Sequence, residues 1–91
     1  MDDDPLFESV RQIINLRDPE GLLEAGAPLD EYDSEVKDLV VLVRGKEVIT
    51  ADSVAAVFDR WFGGSFWTAH RPTEVDQVAT ELESMRRRLQ S

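Results

Sequence analysis

The chain has 91 residues, no cysteine and a formal net charge of −9. That is one domain with room for one core, without a disulfide framework, a thiolate nucleophile or a cysteine zinc site. The acidic Met-Asp-Asp-Asp start is unlike a signal peptide, and the longest apolar run, residues 39–43, is far short of the ~20 residues a membrane span needs, so a soluble cytoplasmic protein is expected.

The charge is unevenly placed. Residues 1–35 hold eleven acids against Arg11 and Arg17, whereas the remainder is balanced. A field of this kind repels nucleic acid and anionic membrane and attracts a basic partner.

Asp4-Pro5 reads as a helix start, with Asp4 as N-cap, Pro5 at the first helical position and Asp2 to Asp4 at the positive end of the dipole. Leu6, Phe7, Val10, Ile13 and Ile14 follow at helical spacing and predict a buried stripe. Asp18-Pro19 repeats the start signal and predicts a short helix in which Leu22 and Leu23 pack and Gly26 acts as the stop.

Residues 27–32 are a joint between helical arms. Pro28 moves Ala27 away from helical angles, and Asp33 is the expected N-cap of the next helix. Val36, Leu39, Val40 and Val43 form its apolar face and Gly45 ends it. The β-branched run 39–43 also suits a strand, but three turns of consistent spacing favour a helix.

Thr50 caps the next helix, with Ile49 placed to pack on Val54 as a hydrophobic staple. Val54, Val57, Phe58 and Trp61 are expected on one face, with Phe62 at its border and Gly63-Gly64 as the stop. Residues 65–71 read as a connector carrying Phe66, Trp67 and His70. Thr73 is the expected cap of the last helix, where Val75, Val78, Ala79, Leu82, Met85 and Leu89 define the apolar face. Arg86, Arg87 and Arg88 suit its negative end better than they suit a nucleic-acid patch on so acidic a chain. The expected fold is therefore all-α: a compact single-domain bundle, residues 1–91, of four main helices plus one short helix.

Candidate chemistry is sparse. Counted from Asp30 as a calcium loop, position six is Glu35 and position twelve is Val41, where Gly and Glu are required, so no metal is expected. His70 is the single histidine and has no nucleophile motif to serve. Gly63-Gly64 ends a helix instead of opening one, which excludes a phosphate loop. The residues point to no enzyme and no cofactor. What remains is the acidic joint, with Asp30, Glu31, Tyr32 and Asp33 as candidate partner-binding residues, and the aromatics Trp61, Phe66 and Trp67 as a second contact.

Residues 26–35, Gly-Ala-Pro-Leu-Asp-Glu-Tyr-Asp-Ser-Glu, with Asp18-Pro19-Glu20-Gly21-Leu22-Leu23 before them and Trp61-Phe62-Gly63 after, resemble the YugE-like family of small bacterial proteins. The likeness covers roughly residues 5–85. It implies a compact all-helical domain and no activity; the chain departs from the family pattern at Leu29, where a polar residue is expected, and in its arginine-rich end.

Two roles suit Asp30 to Asp33. Tyr32 packs beneath the joint with its hydroxyl bonded while the acids cap, or the cluster is a docking face with Tyr32 as anchor. The second role is similar in type to the immunity proteins that block nuclease toxins, where carboxylates meet a basic cleft. The leading expectation is a non-enzymatic acidic binding protein docking a basic protein, with nuclease-toxin immunity as the specific case. The alternative is a structural or regulatory homo-oligomer joined through residues 61–67.

Overall fold

A computed structural model describes residues 5–63 and 66–90, with Phe66 described by its backbone alone. Asp2 to Asp4 and Gly64 lie outside the described residues. Five helices follow in order: α1 Pro5–Arg17, α2 Asp33–Arg44, α3 Ala51–Phe62, α4 Phe66–His70 and α5 Pro72–Gln90. The protein is all-α, with four main helices, one short one and no strand among the described residues.

The helices share one core. The long α5 packs against α3, α2 and α1, and α1 lies along α2. Phe7, Val10 and Ile14 line the inner face of α1; Val36, Leu39, Val40 and Val43 line that of α2. Val41 is exposed between them, so the apolar run 39–43 turns with helical period and does not alternate as a strand would.

In α3 the buried stripe runs Val54, Phe58, Phe62, each four residues on, and Trp61 leaves it with 47% of its surface exposed. Phe62 half-buries and stacks parallel to Phe58 at 6.2 Å. Thr50 caps α3 as expected: its hydroxyl accepts the Ser53 amide, and the Ser53 hydroxyl accepts the Thr50 amide, closing a reciprocal capping box. Gly63 ends α3 in the left-handed conformation at φ 61°.

Three expectations about ends and connectors need correction. The short helix is not at residues 19–26 but at Phe66–His70, the segment expected to be a connector. Asp18 adopts φ 47°, left-handed, which turns the chain and prevents the Asp-Pro signal from opening a helix. A turn closed by the Gly21 amide on the Asp18 carbonyl leads into a second, closed by the Ala25 amide on that of Gly21. Gly26 ends the second, the Gly26 amide donating to Leu23 and the Ala27 amide to Leu22, the paired bonds of a Schellman stop. At the last helix, Pro72 occupies the first helical position, so the helix begins one residue before the expected Thr73 cap. Leu89, assigned to the apolar face of α5, projects beyond the core and is 55% exposed.

Arg86 is not a solvated helix end. It is buried, donating from Nε and Nη2 to both oxygens of Glu83 at 2.7 and 2.8 Å and from Nη1 to the Lys46 carbonyl. Glu83 also accepts the Ile49 amide at 2.9 Å. The Arg86 bond first, then the Ile49 bond, depress the Glu83 carboxyl to about 2. This pair fastens α5 to the loop that leads into α3.

Candidate functional site: the acidic joint

The joint is a fixed structure. Glu31 donates its amide to the Pro28 carbonyl and Asp33 to that of Asp30, which makes two consecutive turns. Asn15 on α1 donates from Nδ2 to the Leu29 carbonyl at 2.9 Å, tying the apex of the joint to the neighbouring helix. Backbone groups satisfied in this way fix the course of the turn instead of exchanging partners with water.

Tyr32 is the pin. Its ring is fully buried and lies 6.5 Å from that of Phe62. Its hydroxyl donates to Asp18 Oδ1 at 2.8 Å and accepts the Glu20 amide at 2.9 Å and, more weakly, the Leu22 amide at 3.3 Å. Asp18 Oδ1 also takes the Leu23 amide, and Oδ2 takes that of Glu24, both at 2.9 Å. Burial, and then the bond to Asp18, push the Tyr32 phenol up to about 12. Burial works against the Asp18 carboxylate, but the bonds from Leu23, Glu24 and Tyr32 and the charge of Arg71 outweigh it and lower its pKa. Tyr32 is thus not a surface anchor. Its ring packs beneath the joint, the first of the two roles its sequence allows.

Asp33 is also withdrawn from the surface site. It is the first residue of α2 and makes no cap bond; both its oxygens take a bidentate fork from Arg11 of α1, each at 3.0 Å. Glu8 lies on the far side of the same guanidinium at 3.7 Å. The charge of Arg11 is therefore matched locally, and the pair clamps α1 to the start of α2.

Asp30 and Glu31 behave differently. Both are exposed, and among the described residues neither forms an ion pair or a side-chain hydrogen bond. Glu24, exposed on the preceding turn, is free in the same sense. Leu29 stands beside them with 71% of its surface exposed.

Beneath them sits a residue whose importance sequence reasoning missed. Glu35 is buried to 4% exposure and its Oε1 has no hydrogen-bond partner among the described residues. Burial raises its pKa, outweighing a bond from its own backbone, and the charges of Asp38, Glu31 and Asp33 add to the rise. Of these neighbours Asp33 is paired with Arg11 and Asp38 lies 3.9 Å from Arg60, which leaves Glu31 unpaired among the described residues. The signal available was position: Glu35 precedes Val36 on the stripe that continues through Leu39.

The aromatic segment does not form one surface. Trp67 is fully buried; its ring meets Phe58 edge-on at 4.9 Å, its indole N–H donates to Glu74, and its amide donates to Glu20. Trp61 is half exposed and donates its indole N–H to Asp38 at 2.8 Å, with Arg60 over its ring. The Phe66 side chain lies outside the described residues. Trp67 therefore belongs to the core and not to a second contact.

Among the described residues, no three of His, Cys, Asp and Glu gather in an arrangement that could hold a metal ion, and no helix is long and apolar enough to cross a membrane. The chain matches no family model, and no curated protein or solved structure matches it significantly.

Proposed function

We propose that this chain is a non-enzymatic binding protein whose acidic joint docks a basic protein in the cytoplasm, with neutralisation of a nuclease toxin as the specific case. The observation that carries the reading is the pair Asp30 and Glu31, exposed and unmatched on a turn fixed from beneath by Tyr32. Carboxylates carried on an ordered turn favour recognition because the backbone beneath them loses little freedom on binding, and like charges gathered on one surface speed encounter with an opposite charge. The motif that resembles the YugE-like family centres on this joint, and we propose kinship with that family on the same residues. The oligomer reading loses support with Trp67 in the core.

Affinity capture tests this, with the native chain and Asp30→Asn/Glu31→Gln as parallel baits and washes at low and high salt. A basic protein held by the native bait, released as salt rises and absent from the variant, is the expected result. Equal recovery on both baits removes the acidic joint from the interaction.

A further inference from the structure

A groove of about 560 Å³ runs beside the joint, with Leu16, Leu23 and Leu29 among its lining residues and Gln12 and Asn15 between them. Leu16 is 85% exposed and Leu29 71%. The exposure of Leu16 follows from its place on α1: Glu8, Gln12 and Leu16 recur every four residues and form the ridge turned away from the stripe of Phe7, Val10 and Ile14. Two exposed leucines, one from a helix and one from a turn, meet here in a single concavity, and a rimmed apolar patch of that kind marks an interaction site.

Three features identify the occupant. The lining leucines Leu23 and Leu29 are followed in the chain by the exposed Glu24 and by the exposed Asp30 and Glu31, which pair with no base among the described residues, while Arg11 of the lining is matched by Asp33 and Glu8. The rim therefore calls for positive charge. In a two-fold pair through this groove a second copy would set the same acids against themselves, and repulsion disfavours it. Exposed leucines beside unpaired acids are matched by a segment with one apolar and one basic face, which an amphipathic helix presents with its own backbone bonds satisfied. We propose that this groove seats a basic amphipathic helix of the partner protein, its apolar residues on Leu16 and Leu29 and its lysines or arginines over Asp30 and Glu31. The proposal rests on the acidic-joint reading and gives the partner segment its chemistry. Helix-in-groove recognition of this kind is read as apolar anchors at i, i+3, i+4 and i+7.

The test uses the full chain, isotope-labelled for NMR, and two synthetic lysine-leucine-alanine peptides of identical composition. One has leucines at helical spacing; the other is scrambled. The expected result is binding of the amphipathic peptide with shifts at Gln12, Leu16, Leu23 and Leu29. Leu16→Ser/Leu29→Ser weakens it at least ~tenfold; both leucines are exposed, and an unchanged melting temperature verifies the fold. Asp30→Asn/Glu31→Gln also weakens it and flattens its salt dependence.

Equal binding of both peptides, insensitive to the leucine variant but lost in the acid variant, overturns the groove and leaves the joint reading standing. Failure of both peptides to bind at low salt overturns the joint reading as well. A dimer by sedimentation that the leucine variant dissolves assigns the groove to a second copy and overturns the helix. Binding that ignores the acid variant overturns the basic character of the occupant.

Discussion

Replacing Tyr32 with Phe deletes one oxygen and leaves the buried ring against Phe62. That oxygen makes a charge-assisted bond to Asp18 at 2.8 Å and takes the Glu20 amide at 2.9 Å. A bond to a charged group contributes about 1.5–3 kcal/mol, and a partly buried amide left without an acceptor costs about 1 kcal/mol. The 3.3 Å contact to Leu22 is too long to add much. The sum is a loss of about 3 kcal/mol, with a range of about 2.5–4. For a domain of this size each kcal/mol moves Tm by about 4–8 °C, so Tyr32→Phe should melt at least ~10 °C lower. Heat scans by circular dichroism and urea titrations by tryptophan fluorescence measure the change. Asp18→Asn completes a double-mutant cycle, since Asn tolerates the left-handed backbone that Asp18 adopts. The two changes should couple by at least about 1 kcal/mol. A Tyr32→Phe cost below about 0.5 kcal/mol, the scale of an ordinary surface change, or strict additivity with Asp18→Asn, would refute the pin.

Tyr32 is the single tyrosine, so phenolate absorbance should rise with a midpoint near about 12 in the folded protein against 10.0 when unfolded; stability from this group is full below the unfolded value and declines as pH rises through the folded one. Glu35→Gln removes a buried charge and should raise stability at neutral pH by about 1 kcal/mol. Because folding raises the Glu35 pKa, the native chain should gain stability relative to that variant as pH falls from neutral through the raised pKa; a pH-independent difference would contradict the assignment. Glu83 is the opposite case: its contribution is present above 4.5 and lost as pH falls towards about 2. Glu83→Gln should weaken the protein at neutral pH and flatten this acid limb, as read by denaturation at several pH values.

Periodicity made the four long helices legible, because each carries an apolar stripe at helical spacing over three turns or more, as in Val75, Val78, Ala79 and Leu82. Local signals failed where the backbone left the helical region. Asp18-Pro19 looks like a cap, yet the same carboxylate at φ 47° organises a turn, and nothing in the pair of letters separates the two. The helix at Phe66–His70 has weak intrinsic preference and depends on tertiary contacts, chiefly Trp67 under Phe58. At the joint the acids were visible as charge, but their division was not. Asp33 is matched by an arginine 22 residues away, and Tyr32 by an aspartate 14 away. Long-range partners of this kind leave no local pattern.

The bond between Asp18 and Tyr32 has a wider consequence. It closes the 15-residue stretch 18–32, which holds no regular helix before α2. Small domains often close such stretches with a cross-link, and a disulfide across about 15 residues stabilises by about 3 kcal/mol. Here, in a chain without cysteine, the closure is made by a phenol and a carboxylate. Oxidant and reductant leave such a clasp alone. Strong acid opens it from the Asp18 side and alkali from the Tyr32 side, so the domain should keep one fold across redox environments and surrender this stretch only to extremes of pH.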